Sequence, residues 1–207
     1  IGGRRIELIT MDDGGDAARA AENTRRLIEL DRVVAMFGGI EGGPCVASLK
    51  EATAHSVPLV ACMAGSPELR EPFNRLSFPV RAPHVLEFEK LLEVAATYGL
   101  RKVAFLHADS VTGHRHLANV RRLAERRQIE IVPIPVSADA KPDALADAVI
   151  AARPDAMFNH GSYAIYAATI RSAKAKGATT LFMAVNSGAA QMAKLLGGDA
   201  TGLIFTQ

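Results

Sequence analysis

One stretch limits the possible folds more than any other: residues 33–70, VVAMFGGIEGGPCVASLKEATAHSVPLVACMAGSPELR. Two short apolar runs, 33–37 and 58–62, each end in glycine or small residues, as buried strands do. Between them Pro44 stands where a first helical residue would, and Val46, Leu49 and Ala52 recur at helical spacing over 44–54. A strand, a helix and a second strand over this length close as a right-handed parallel crossover. Both turns, 38–43 and 63–66, then fall at the carboxyl end of one sheet, where open α/β sheets bind ligands.

The same alternation runs along the chain. Residues 6–10 (IELIT) read as a strand, 11–15 as a turn, and Asp16 as the cap of a helix reaching Leu30. After a strand at 76–80 the rhythm breaks at Arg81-Ala82-Pro83-His84, the best boundary between two lobes. Beyond it the pattern predicts helices at 85–98, 114–127, 142–153, 163–176 and 187–196. Strands are expected at 102–107, 129–135, 156–160, 181–185 and 202–206. Strict alternation of this kind means an α/β fold with parallel, doubly wound sheets. The 207 residues suffice for two small cores, and 49% apolar with 22% charged residues is globular composition. A net charge of +2 is too small to argue for nucleic acid, and Arg121, Arg122, Arg126 and Arg127 read as a solvated helix face. No apolar run approaches a membrane span, and no signal peptide is present. The chain opens on a loop that runs straight into a strand, so an upstream part is expected.

Chemistry is sparse. The turn Gly38-Gly39-Ile40-Glu41-Gly42-Gly43 lacks the GxGxxG spacing of a dinucleotide site. Pro44 and Cys45 stand where a P-loop needs lysine and a hydroxyl, so nucleotide binding is not expected. A glycine turn that opens a helix still offers free backbone N–H groups and the positive end of the helix dipole, a cradle suited to a carboxylate. Asp12 and Asp13 read as turn residues. The pair His114 and His116 has poor metal geometry and reads as solvated helix. His107 reads as a satisfied structural histidine; His160, at a strand end, is as readily a site residue as a structural one. Cys45 and Cys62 are too few and wrongly spaced for structural zinc; two separate buried thiols are the simpler expectation, and a disulfide is the alternative in an oxidising compartment. No nucleophile elbow is present, and no nucleophile, base and orienter occur together. The strand-end turns offer Ser66, Asp109, Thr112, Ser162, Tyr163 and Asn186, groups better suited to holding a small polar molecule than to transforming one.

These motifs, in order, resemble a known family. GGRRIELITMDDGGDAARAAENTRRLIELDRVVAMFGG, VPLVACMAGSPELRE, VAFLHADSVTGHRHL, and ATTLFMAVNS with GDATGLIFTQ resemble successive signatures of the type I periplasmic solute-binding proteins, in the branched-chain amino-acid receptor group. The resemblance covers essentially the whole chain. It implies two lobes, 1–80 and 81–201, with 202–207 crossing back to the first and the first lobe only partly covered. It also implies a ligand held between the lobes and hinge closure. Candidate ligand-binding positions, from the residues and the resemblance together, are Gly39, Glu41, Gly42 and Gly43 in the first turn, and Ala64, Gly65 and Ser66 in the second. In lobe two they are Asp109, Thr112, His160, Ser162, Tyr163 and Asn186. This chain departs from the family's pattern in three places. The serine near Gly42 or Gly43 is missing, Thr112 replaces an aromatic residue, and Asn186 stands where an acid pairs with the ligand's ammonium. An amide cannot pair with a buried ammonium as a carboxylate does, which opens the solute to acids other than α-amino acids. The function implied is a non-catalytic, exported receptor of an ABC uptake system, periplasmic or extracellular, without cofactor or metal. Its partners are a small carboxylate-bearing solute and the permease. A ligand-sensing module of the same fold is the alternative.

Overall fold

The computed structural model describes residues 2–3, 5–186 and 188–206, which form two compact units dividing between His84 and Val85. The division falls just beyond the expected break after residue 80.

The first unit begins with helix α1 (Ala17–Glu29), whose cap Asp16 accepts the Arg19 N–H at 2.7 Å. Strand β1 (Met36–Phe37), helix α2 (Gly42–Ala54) and strands β2 (Leu59–Val60) and β3 (Ser77–Phe78) follow, the strands pairing in parallel in the order β1-β2-β3. Leu49 of α2 packs with Leu59, Leu69, Ala64 and the two cysteines, and Ala20, Thr24 and Leu27 form the buried face of α1. Two expectations change here. Helix α2 starts at Gly42, so Pro44 is its third residue; a proline lacks only an N–H that has no intrahelical acceptor anywhere in the first turn. Residues 6–10 are not a strand: they have no ladder partner among the described residues, and Ile6 and Leu8 are 72% and 73% exposed. An extended apolar run becomes a strand only with a neighbour to bond.

Cys45 and Cys62 are joined in a disulfide with Cα atoms 6.2 Å apart, so the expectation of two separate thiols is corrected. The crossover itself explains the pairing. It brings the first turn of α2 beside the end of β2, although the residues are 17 apart in sequence.

The second unit contains α3 (His84–Thr97), β4 (Lys102–Ala108), α4 (Val111–Glu125), β5 (Glu130–Val136), α5 (Pro142–Ala152), β6 (Ala156–His160), α6 (Tyr163–Ala175), β7 (Leu181–Ala184), α7 (Ala189–Leu196) and β8 (Ile204–Phe205). Its five strands are parallel, in the order β5-β4-β6-β7-β8. Alternation along β4 sends Val103 and Phe105 to one face, with Phe88 and Leu92 of α3 and Val120 of α4, and Ala104 and Leu106 to the other, with Val149 of α5 and Ile170 of α6. Helices therefore cover both faces, the doubly wound arrangement expected. Helix α4 begins three residues before the expected position 114 because Ser110 caps it, accepting the Gly113 N–H at 3.1 Å. Helix α7 starts at Ala189; Ser187, expected to open it, lies outside the described residues. Within the segment 202–207, expected to cross back to the first lobe, Ile204–Phe205 form the fifth strand of this sheet. The order of strands reverses between β4 and β6, so their carboxyl ends mark the switch point where such sheets bind ligands.

Candidate functional site

In the first unit the two turns meet. A Cβ added at Gly42 would lie 2.2 Å from Ser66 Oγ. The serine side chain of the second turn thus fills the space that a side chain at position 42 would occupy, and the hydroxyl missing from the first turn is supplied by the second. Beside it, α2 opens with Gly42, Gly43 and Pro44; proline has no N–H, so Gly42 and Gly43 carry the donors at the positive end of this helix. Gly38 and Gly39 hold φ of 89° and 96°, and Glu41 reaches φ 71°, a strained conformation for a side-chain-bearing residue. The Glu41 carboxylate lies near Gly15, where a Cβ would stand 3.6 Å from its Oε2.

The second turn is braced from behind. Arg70 Nη1 donates to the carbonyls of Ala64 and Ser66, each at 3.3 Å, and Nη2 donates to the Arg81 carbonyl. Burial lowers the pKa of this guanidinium from its ordinary value. A Cβ at Gly39 would meet Cys62 Sγ at 3.1 Å and Cys45 Sγ at 3.3 Å, so the disulfide lies directly against the first turn. Of the expected positions, Gly39, Glu41 and Gly43 are exposed and Ser66 half-buried, whereas Ala64 and Gly65 are buried, the latter beneath the His84 ring.

In the second unit, Asp109, His160 and Ser162 line a cavity of about 290 Å³ at the ends of β4, β5 and β6. Asp109 Oδ1 pairs with His114 Nε2 at 3.1 Å on the surface. Ser162 caps α6, accepting the Ile165 N–H at 3.4 Å. Tyr163 packs against the next turn: a Cβ at Gly188 would fall 2.6 Å from its ring. Asn186 is exposed beside that turn, and its backbone N–H is shared between Glu87 Oε1 and Thr206 Oγ1, both at 2.9 Å. Thr112 is exposed in the first turn of α4 and is not among the residues around the cavity.

The histidines divide differently from the sequence reading. His107 is the satisfied structural residue expected, its Nδ1 3.0 Å from the Ala108 carbonyl. His116, expected to be solvated, is only 7% exposed and lies with its ring centroid 4.0 Å from that of His160. Both rings also contact Phe88, so the His160 side chain belongs to the aromatic cluster on the α3–α4 face. Three residues near these edges escaped the sequence reading: Arg70, Glu87 and Asn159. Glu87 left a trace, an acid set among the apolar residues Phe88, Leu91 and Leu92 of α3; Asn159 left one too, an amide in the apolar run AMFNH. Among the described residues no cluster of His, Cys, Asp or Glu could hold a metal ion.

No curated protein sequence matches the chain. Solved structures do. An extracellular ligand-binding receptor from Rhodopseudomonas palustris HaA2 is similar with a TM-score of 0.86 at 21% identity, over 98% of this chain and 58% of that one. A leucine-binding protein, LivK, from Thermotoga maritima gives a TM-score of 0.85 at 20% identity, over 99% of this chain and 59% of that one. A solute-binding protein of an ABC transporter from R. palustris BisB5, in complex with 3,4-dihydroxybenzoic acid, gives 0.72 at 24% identity, over 89% of this chain and 52% of that one. The chain thus spans less than three fifths of these structures, and likeness at such identity speaks for the fold. The family described as periplasmic binding protein matches residues 1–207, and the chain belongs to it.

Proposed function

We propose that the chain is part of an exported receptor that binds a small carboxylate-bearing solute and passes it unchanged to the permease of an ABC uptake system. The carboxylate sits on the first unit, at the glycine turn where α2 begins. One observation carries this reading: the Ser66 hydroxyl lies against Gly42 at the N-terminal end of α2, where two glycine N–H groups and the helix dipole favour an anion. The hydroxyl and the N–H groups are donors that hold an acid, and the site residues supply no nucleophile with a base to turn it over. A ligand shifts such a receptor between conformations only by its differential affinity for them.

The test is a thermal-shift screen of the full-length protein against α-amino acids, amides, and aliphatic and aromatic acids. A solute at a hundred times its Kd adds roughly 2.7 kcal/mol of stability. Stabilisation by acids, lost in Ser66→Ala, supports the reading; a panel in which amides stabilise and acids do not overturns it. Asn186→Asp sorts the solutes further: it should weaken acids with neutral tails and favour amino acids.

A further inference from the structure

Four of the six histidines gather at one corner of the second unit. His107 and His160 stand opposite each other in register at the ends of β4 and β6, and His114 and His116 reach them from the start of α4. Ring centroids are 5.3 Å apart for His107 and His114, and only 4.0 Å apart for His116 and His160. The closer pair is enclosed: His116 is 7% exposed and His160 is half-buried. Phe88 of α3, fully buried, meets both rings edge-on at centroid distances of 5.4 and 5.8 Å. Behind it, Phe105 and Phe158 of the sheet hold it at 5.6 and 5.9 Å.

The charged and titratable groups on the surrounding elements are few. On α4, Arg115 is exposed and His114 pairs with Asp109 at the surface. On β4, His107 keeps its Nδ1 3.0 Å from the Ala108 carbonyl. On α3, Glu87 precedes Phe88; it is the one buried acid among the described residues, and its Oε1 accepts from Asn186 and Thr206.

Two unit charges as close as these rings, 4.0 Å, disfavour the second proton by about a thousandfold at the effective dielectric of proteins. Phe88 supplies no counter-charge, and Glu87 offsets one charge only. The closed pair therefore holds one proton at most. Once apart, each ring takes a proton near about pH 6.5. The opened state thus binds more protons than the closed one. The closed pair is fully favoured above about pH 6.5 and loses ground below it, approaching tenfold per pH unit for each extra proton. Opening must move Phe88, which touches both rings from the N-terminal half of α3, just beyond the division between His84 and Val85.

We propose that His116 and His160 form a pH-sensitive catch on α3: a second proton parts the rings and frees the start of this helix, where the chain enters the second unit. The catch lies within that unit and is independent of the solute.

The experiment is hydrogen exchange of the full-length protein from about pH 5 to about pH 7.5, corrected for the intrinsic pH dependence of exchange and read at residues 88–92 of α3 and 146–150 of α5. The opening constant at 88–92 should rise in acid, approaching at least about tenfold per pH unit, while that at 146–150 changes far less. In His116→Gln and in His160→Gln alike, the dependence at 88–92 should become shallower by up to about tenfold per pH unit, because a single ring has no like charge beside it. Protection of α3 that does not vary with pH, an equal loss in α5, or a dependence that only one of the two variants reduces overturns the catch. A ring-proton NMR titration of the wild type decides even where a variant fails to fold. One of the two rings at most should become charged while the protein stays folded, and two complete titrations overturn the proposal.

Discussion

Exchanging the hydroxyl between positions 42 and 66 tests the candidate anion site most directly. Ser66→Ala removes the one side-chain donor at the glycine turn. A hydrogen bond to a charged group contributes about 1.5–3 kcal/mol, so affinity for an acid that binds the wild type should fall by roughly 10- to 150-fold. Gly42→Ser alone should not help, because its Cβ would sit 2.2 Å from Ser66 Oγ and one side chain must give way. Crowding of that kind costs about 1–3 kcal/mol. In the double variant Gly42→Ser/Ser66→Ala the collision is gone: the next atom, Ser66 Cβ, is 3.6 Å away, an ordinary contact. A hydroxyl then stands again at the same turn, and affinity should return to within a few-fold of wild type.

The same geometry has a reading in stability alone, independent of any ligand. Gly42 is helical, so alanine there carries no backbone penalty and should stabilise the Ser66→Ala background by about 0.4–1 kcal/mol. In the wild-type background the collision should make it destabilising. Urea unfolding of the four proteins gives the coupling, expected at about 1–3 kcal/mol. Equal effects of Gly42→Ala in both backgrounds, together with a double variant that binds no better than Ser66→Ala, would refute the argument.

Four further outcomes are expected. Removing the disulfide by Cys45→Ser/Cys62→Ser, which frees a loop of 17 residues, should cost about 3 kcal/mol by urea unfolding; a midpoint that does not move on reduction of the wild type would count against it. Gly113→Ala would set a Cβ 1.8 Å from the Ala108 carbonyl oxygen, a backbone collision expected to cost roughly 3 kcal/mol or more; a loss under about 1 kcal/mol would show that α4 shifts freely. Asp155 accepts the Arg101 and Lys102 N–H groups, and these bonds hold its pKa below the ordinary carboxylate value. Its contribution is present above about pH 4 and is lost as pH falls through the lowered value, so wild type and Asp155→Asn should differ at neutral pH and converge in acid. Glu87→Ala should cost about 1–3 kcal/mol, and Glu87→Gln distinctly less, because the amide oxygen still accepts from Asn186 and Thr206.

What the sequence made legible was what local periodicity controls. Elements such as 142–152 and 156–160 were readable to within a residue, because capping residues and the change from helical to strand period are both local signals. Both glycine turns were recognisable for the same reason. Pairings between distant residues were not. The strand expected at 6–10 has every local mark of one and lacks only a neighbour. Cys45 and Cys62 look unrelated until the crossover brings them together, and a missing hydroxyl at Gly42 looks like a lost function until Ser66 is found beside it. His116 reads as solvated because its sequence neighbours, Arg115 and His114, are exposed; its burial depends on β6 and α3.

The acid expected near Asn186 shows how this matters for specificity. A carboxylate does lie beside that strand end, but it comes from α3: Glu87 is only 5% exposed, and Oε1 accepts both the Asn186 N–H and the Thr206 hydroxyl. That oxygen is therefore committed behind the turn, holding the ends of β7 and β8 to the first turn of α3. Asp109, the other acid at this edge, is committed to His114. At position 186 itself an amide stands, which offers an ammonium no charge to pair with. On the proposed reading, the amide at Asn186 favours a solute whose second end carries no positive charge.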